Sequence, residues 1–180
     1  MKKFFITSIL LLFLFLTLSF GSHLKVVYPD SISHGRAALI YGWYWLRTPG
    51  AWFEWHFPPD HDLFKIIYMN ISALVTNKAS GGSGFSEKVR WKIIDSSSGS
   101  TMLEGYMKLN NPFLPKVQYN TNGLGYKVYG SVKIYVRSPN VLDTMRNNGF
   151  IFRITWPGVN KYHVAFNKNP KYLFLVYEER

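Results

Sequence analysis

A two-residue hydrophobic period runs through most of this sequence and constrains its fold more than any other feature. From Ala51 to Phe57 the odd positions are all apolar, whereas the even positions carry Trp52, Glu54 and His56. The same alternation recurs in segments 88–95, 125–137 and 149–156. Successive side chains of a β-strand point to opposite faces, so this period predicts half-buried strands rather than helices.

Many short strands with turn residues between them, and without a βαβ rhythm, predict an all-β fold. We expect a two-sheet antiparallel β-sandwich, with a jelly roll as the first topology and an immunoglobulin-like arrangement as the second. Segment 37–47 is predicted to be one long aromatic strand, and Pro49-Gly50 to form a hairpin turn between it and segment 51–57. One short helix is predicted at 139–148, where Ser138-Pro139 supplies a start signal and Gly149 a stop.

The first 21 residues read as a secretory signal peptide with a signal helix. Lys2 and Lys3 precede an uncharged run from Phe4 to Phe20, and Ser19 and Gly21 are the small residues of a cleavage site after Gly21. Cleavage leaves residues 22–180 as a single sandwich domain that is secreted or held at the cell surface. The alternative is an uncleaved helix, which would tether the same domain to the membrane.

Composition excludes several classes of chemistry. The chain has no cysteine, so it has no thiol nucleophile, no cysteine-bound zinc and no iron–sulfur cluster. The formal net charge is +11, but the basic residues form no continuous run, which argues against nucleic acid as a partner. Two interpretations of this charge stay open: a solvated surface, or an attraction to anionic polysaccharide, cell wall or lipid headgroups.

Candidate catalytic and metal-binding residues are few. Glu54 lies among aromatic residues and Glu104 is its most natural partner for glycoside hydrolysis, but their spacing does not show that they meet. Asp60 and Asp62 are oxygen ligands of the kind that a structural Ca²⁺ prefers. The same two aspartates also fit an ordinary turn after Pro58-Pro59, and no other cofactor is predicted.

The aromatic strands supply the candidate binding residues. If segments 37–47 and 51–57 pair as a hairpin, Trp43, Trp45, Trp52 and His56 are the side chains expected to meet a ligand, with carbohydrate the class that stacks on aromatic rings. The alternative is that these rings belong to the core. Asn70-Ile71-Ser72 matches a glycosylation sequon, and its use requires that Asn70 face solvent.

These features favour an exported, non-enzymatic binding or interaction module that engages carbohydrate or the cell envelope. The first alternative is a structural subunit of an extracellular filament or surface layer, assembled by strand addition through residues 21–30. The second is a small polysaccharide-active enzyme that uses Glu54 and Glu104. Self-assembly and envelope binding are therefore the partner interactions to be tested.

Overall fold

In a computed structural model, the described residues are 24–40, 42–46, 48–63, 66–76, 85–111, 116–119, 123–156 and 164–178. The predicted signal peptide, residues 1–21, lies outside them. The strands are β1 (Leu24–Val27), β2 (Ser31–Gly35), β3 (Ala37–Ile40), β4 (Trp43–Leu46), β5 (Trp52–Phe57), β6 (Ile66–Thr76), β7 (Phe85–Asp95), β8 (Thr101–Asn111), β9 (Lys116–Tyr119), β10 (Gly123–Tyr135), β11 (Phe150–Thr155), β12 (Val164–Asn167) and β13 (Leu173–Glu178). A helix, α1 (Pro139–Asn148), and a 3-10 turn, Pro170–Tyr172, complete the described structure.

The strands form one continuous antiparallel hydrogen-bonded sheet in the order β2-β5-β11-β7-β8-β10-β6-β12-β4-β3. Strand β13 pairs with both β6 and β1, and β9 pairs with β10. We call β2, β5, β11, β7 and β8 the front half, and β6, β12, β4, β3, β13 and β1 the back half. Strand β10 joins the halves, because it pairs with β8 on one side and with β6 on the other.

Aromatic side chains fold the two halves onto each other. The Phe53 and Trp55 rings of β5 lie 5.4 and 5.2 Å from the ring of Phe166 on β12, although six strand-to-strand steps separate β5 from β12 within the sheet. All three side chains are fully buried, and Phe152 and Trp156 extend the same core. The expected all-β sandwich is therefore confirmed, with the odd positions of segment 51–57 facing inward as their alternation predicts.

The predicted hairpin between segments 37–47 and 51–57 is wrong. The chain turns already at Gly42, whose φ of +79° suits glycine, and β3 pairs with β4 across this turn. The turn at Pro49-Gly50 does form, with the Ala51 amide donating to the Thr48 carbonyl at 3.0 Å, but it carries the chain from the back half to the front half. Strands β4 and β5 consequently belong to different layers.

The predicted helix is confirmed at the predicted bounds. Helix α1 has Pro139 in its first turn, ends before Gly149, and buries Met145 against the sandwich core. Arg146 donates to Asp143 at 3.0 Å and to the carbonyl of Leu63, so this short polar helix is fixed across one end of the layers. Among the described residues, no helix has the length and apolar character needed to cross a bilayer.

Two tryptophan rings lie flat over glycines on neighbouring strands. Trp91 on β7 is opposite Gly105 on β8, and Trp52 on β5 is opposite Gly35 on β2. A β-carbon at Gly105 would approach the Trp91 ring to 2.7 Å, and one at Gly35 would approach the Trp52 ring to 2.4 Å. The first pair belongs to the core and the second lies on the outer surface of the front half.

This difference predicts unequal effects of the same substitution. Gly105→Ala forces the buried Trp91 ring to move within a packed core, so we expect it to destabilise the protein by about 1–3 kcal/mol in urea unfolding followed by circular dichroism. Gly35→Ala displaces the half-exposed Trp52 ring toward solvent and is expected to destabilise less. Equal losses of stability in the two variants would contradict the assignment of Trp91 to the core and Trp52 to the surface.

Candidate functional site

A polar row crosses the outer surface of the front half, which we call the front face. Ser33, Glu54, Arg153, Lys92 and Glu104 lie directly opposite one another on β2, β5, β11, β7 and β8. Directly opposed residues of an antiparallel sheet project from the same side, so these five side chains share the front face. The alternating sequence therefore places polar groups here because their apolar neighbours fill the core.

Glu54 is the buried member of this row, with 4% of its surface exposed. Its carboxylate accepts hydrogen bonds from the Ser33 hydroxyl at 2.6 Å and from Arg153 Nε. The His56 Nε2 atom lies 2.8 Å from Ser33 Oγ and 3.8 Å from Glu54 Oε2. A buried carboxylate is stable when it is paired and hydrogen-bonded, and Glu54 meets both conditions through neighbouring strands.

The predicted ligand-binding residue Trp52 lies beside this carboxylate and is half-buried. Its ring covers Gly35, and the Arg153 guanidinium carbon is 4.7 Å from the ring centroid, which is cation–π geometry. Arg153 thus contacts Trp52 while its Nε donates to Glu54. Trp52 and His56 lie together on the front face, but each is engaged by its neighbours within the sheet.

Glu104 occupies the opposite end of the row and is exposed. Arg90 Nη2 lies 2.9 and 2.8 Å from the two carboxylate oxygens, and Lys92 Nζ lies 3.5 Å from one of them. The Arg90 hydrogen bond, with further contributions from the charges of Arg90 and Lys92, lowers the pKa of Glu104. The carboxylate is therefore held in its charged form between two cations.

The structure does not bring Glu54 and Glu104 together. Three strand-to-strand steps, or about 14 Å between their backbones, separate the two residues, and the side chains of Arg153 and Lys92 lie between them. Paired glycosidase carboxylates lie about 5 to 10 Å apart. Both carboxylates are on one face, as the enzyme hypothesis needs, but their spacing does not suit that chemistry.

Trp43 and Trp45 lie on the opposite side of the molecule. Trp43 is buried against Ala165 of β12, and Trp45 packs partly buried onto the same small cluster. Tyr44 between them points the other way, toward Phe53 in the core. The four residues predicted to share a binding surface are thus divided between the back half and the front face, because β4 and β5 are not hairpin partners.

Tyr106 on β8 is a surface residue that the sequence analysis missed. Its side chain is 64% exposed, it lies opposite Arg90, and Lys88 Nζ is 5.9 Å from the ring centroid. The available signal was alternation within Thr101–Leu109, where Glu104, Tyr106 and Lys108 alternate with the buried Met107 and Leu109. That pattern places Tyr106 on the charged side of the strand.

The calcium candidates Asp60 and Asp62 both form ion pairs with one lysine. Lys25 Nζ lies 3.1 Å from Asp60 and 3.6 Å from Asp62, and the Tyr177 hydroxyl donates to Asp60. Lys25 thus supplies a positive charge next to both carboxylates. Within the described ranges, no cluster of three histidine, aspartate or glutamate side chains has the arrangement of a metal site.

Burial raises the pKa of Asp60. The hydrogen bonds from Tyr177 and Lys25 together lower this pKa by a larger amount, so the net shift is downward. Burial, followed by the hydrogen bond to Asp60, raises the pKa of Tyr177 to about 12. Hydrogen bonds to Tyr177 and Asp60 raise the pKa of Lys25 well above its ordinary value. The cluster therefore favours ionised Asp60, charged Lys25 and neutral Tyr177, the three forms that attract one another.

The sequon residue Asn70 lies in β6 opposite Ser131 of β10 and Phe174 of β13. Ser131 is exposed and Phe174 is half-buried, so Asn70 occupies a register position on the outer side of the back half. The side chain of Asn70 itself lies outside the part of the structure that is described in atomic detail.

No protein-family model matches the chain, and no curated protein matches it. Among solved structures, the Agl-KA catalytic domain aligns at 12% identity and a TM-score of 0.46, over 86% of this chain and 27% of that one. The enzymatically active domain of tailspike protein 4 from bacteriophage CBA120 aligns at 8% identity and a TM-score of 0.25, over 87% of this chain and 18% of that one. The chain spans less than a third of either protein, and likenesses this weak carry no inference about activity.

The Lys25–Asp60–Tyr177 cluster predicts a specific pH dependence of stability. Because the pKa of Asp60 is lowered by folding, its contribution is present above pH about 4 and is lost as the pH falls through the folded value. Because folding raises the pKa of Tyr177, its contribution is present below pH about 10 and is lost as the pH rises toward 12. Asp60→Asn should lower stability at neutral pH, abolish this cluster's loss of stability at acid pH and reduce the loss at alkaline pH only in part, because the burial of Tyr177 remains. Urea unfolding from pH 3 to 11 measures both losses.

Asp62→Asn is the matched control, since the Asp62 side chain is 66% exposed and lies farther from Lys25. The Asp62→Asn variant should lose stability at acid and at alkaline pH nearly as the wild-type protein does. Parallel pH profiles for the wild-type protein and Asp60→Asn would show that this cluster does not stabilise the fold.

Proposed function

We propose that this protein is an exported, non-enzymatic binding module that holds a carbohydrate or another cell-envelope component on its front face. The observation that carries the proposal is the exposure of Tyr106 at the centre of the β7–β8 pair, with cationic side chains around it. A large aromatic ring at this exposure has apolar area available to a ligand. Export rests on the sequence of residues 1–21.

The front face suits an extended ligand better than a small molecule. It is a sheet surface of five strands, with the Tyr106 ring near one edge and Trp52 near the other. Aromatic faces pack against the C–H groups of a sugar ring, and neighbouring charged and hydroxyl groups form hydrogen bonds with its substituents. Arg153 on β11 supplies such a group between the two rings, and Ser33 and His56 supply others beside Trp52.

Binding without catalysis is supported by the state of the polar groups. Glu54 is paired with Arg153, and Glu104 is paired with Arg90, so each carboxylate is neutralised within the protein. A general acid or base must reach the proton that it transfers, and a charge already paired with a cation is a weak base. Ser33 is likewise engaged by the Glu54 carboxylate rather than directed only to His56.

Substitution of Tyr106 tests this proposal. Tyr106→Ala removes the exposed ring without opening the core, so we expect weaker binding in a polysaccharide pull-down or glycan array with the purified protein, and an unchanged melting temperature. Tyr28→Ala removes a tyrosine that is 45% exposed immediately after β1 and should leave binding intact. Absence of binding to every carbohydrate and envelope preparation, or equal loss in both variants, would contradict the proposal.

A second candidate function, assembly by strand addition, is favoured by the surface of β1. Within the described part of the chain β1 pairs with β13 alone, and it exposes Leu24 and Val26 by 67% and 53%. An edge strand that carries exposed apolar side chains is a template for pairing with another chain. Residues 24–27 belong to segment 21–30, which the sequence analysis singled out for this role.

Assembly predicts filaments or higher oligomers of the purified protein at high concentration, detected by electron microscopy and light scattering. Val26→Lys places a charge on the exposed side of this edge and should abolish them, because an edge lysine opposes strand pairing. Tyr106→Ala, on the front half, should assemble as the wild type does. Monodisperse wild-type monomers at all concentrations would reject this candidate.

A further inference from the structure

Three basic residues of β7 and one of β8 lie together on one part of the front face. Lys88, Arg90 and Lys92 occupy alternate positions of β7, and Lys108 lies opposite Lys88 on β8. Lys88, Arg90 and Lys108 are exposed, and Lys92 is half-buried. We call these four residues together with Tyr106 the basic hairpin surface.

The charges of this surface are not balanced within the described residues. Glu104 is shared between Arg90 and Lys92, so one carboxylate faces two cations. Lys88 and Lys108 are directly opposed and form no ion pair in the described part of the chain, although Lys88 lies over the Tyr106 ring. Like charges at directly opposed positions of a sheet destabilise it. A local loss of stability of this kind is typical of a functional surface.

The geometry of the cations matches a polymer rather than a single anion. Alternate residues of one strand lie about 6.8 Å apart, so Lys88, Arg90 and Lys92 form a row along β7. Tyr106 lies opposite the middle of this row. A chain of sugar rings with repeated acid groups could place one ring on Tyr106 while its acid groups reach the lysines on either side.

We propose that the basic hairpin surface binds an acidic polysaccharide, with Tyr106 stacking on a sugar ring and Lys88 and Lys108 pairing with carboxylate or sulfate groups of the polymer. This inference rests on the proposed function and adds the charge of its ligand. Binding relieves the repulsion between Lys88 and Lys108, and this relief contributes to the free energy of binding. Since these pairs are exposed, salt weakens the complex.

The test uses a matched pair of polymers. Dextran sulfate and neutral dextran share one backbone, and polygalacturonate carries carboxylates on a different sugar backbone. We expect the purified protein to bind dextran sulfate or polygalacturonate much more tightly than dextran, with affinity that falls as salt rises. Binding to one acidic polymer alone supports the acidic ligand and narrows it to the sulfated or to the carboxylated polymer.

Two double variants with the same change of charge separate site from net charge. Lys88→Gln with Lys108→Gln should weaken binding of the acidic polymer by roughly tenfold or more, because two ion pairs with the polymer are lost. The melting temperature should not fall, because the repulsion between Lys88 and Lys108 is removed as well. Lys168→Gln with Lys171→Gln alters two exposed lysines outside the front half and should bind nearly as the wild type does.

Each adverse outcome has a distinct meaning. Equal loss in both double variants would overturn the site, because only net charge would then matter. Dextran bound as tightly as dextran sulfate would overturn the acidic ligand and leave the proposed function standing. No binding to any of these three polymers would overturn the acidic ligand, whereas the proposed function is overturned only if the wider set of carbohydrate and envelope preparations also fails to bind. Single-stranded DNA bound as tightly as the acidic polymers, with the same dependence on Lys88 and Lys108, would overturn the assignment to a polysaccharide.

Discussion

Contact of Phe53 and Trp55 on β5 with Phe166 on β12 is the interaction on which the rest of the structure depends. These rings join strands that are remote within the sheet, and they convert one long sheet into two packed layers. With no cysteine in the chain, no disulfide assists them. Each fully buried aromatic side chain contributes about 1.5–3 kcal/mol by removal from water, so a few such rings outweigh any surface ion pair.

The polar front face follows from this core. Once the odd positions of β5 are committed to the interior, Trp52, Glu54 and His56 must project from the other side of the strand. Glu54 is then surrounded by neighbouring strands and is compensated by Arg153 and Ser33. The face therefore divides into a region near β5 whose charges are paired and a region on β7 and β8 where cations exceed carboxylates. That excess distinguishes a surface available to a ligand from one that mainly stabilises the sheet.

The local sequence pattern predicted the secondary structure of these segments, but not which strands pair with each other in the sheet. Alternation placed Phe53 and Trp55 inside, and the Ser138-Pro139 and Gly149 signals bounded α1 as observed. The hairpin assigned to Pro49-Gly50 failed because a turn residue reports a change of chain direction and not strand pairing. The same limit hid the basic hairpin surface: Lys108 becomes a neighbour of Lys88 only through the pairing of β7 with β8. Of the four predicted binding residues, Trp52 and His56 share the front face and the other two do not.

The central claim is that the ligand occupies the front face at β7 and β8. Titration of the isotopically labelled protein with a short acidic oligosaccharide, followed by amide chemical shifts, tests it most directly. The account predicts shifts concentrated at residues 88–92 and 104–108, with smaller changes near Trp52. Shifts concentrated around Trp43 and Trp45, or along β1, would place the ligand on the back half and contradict the account.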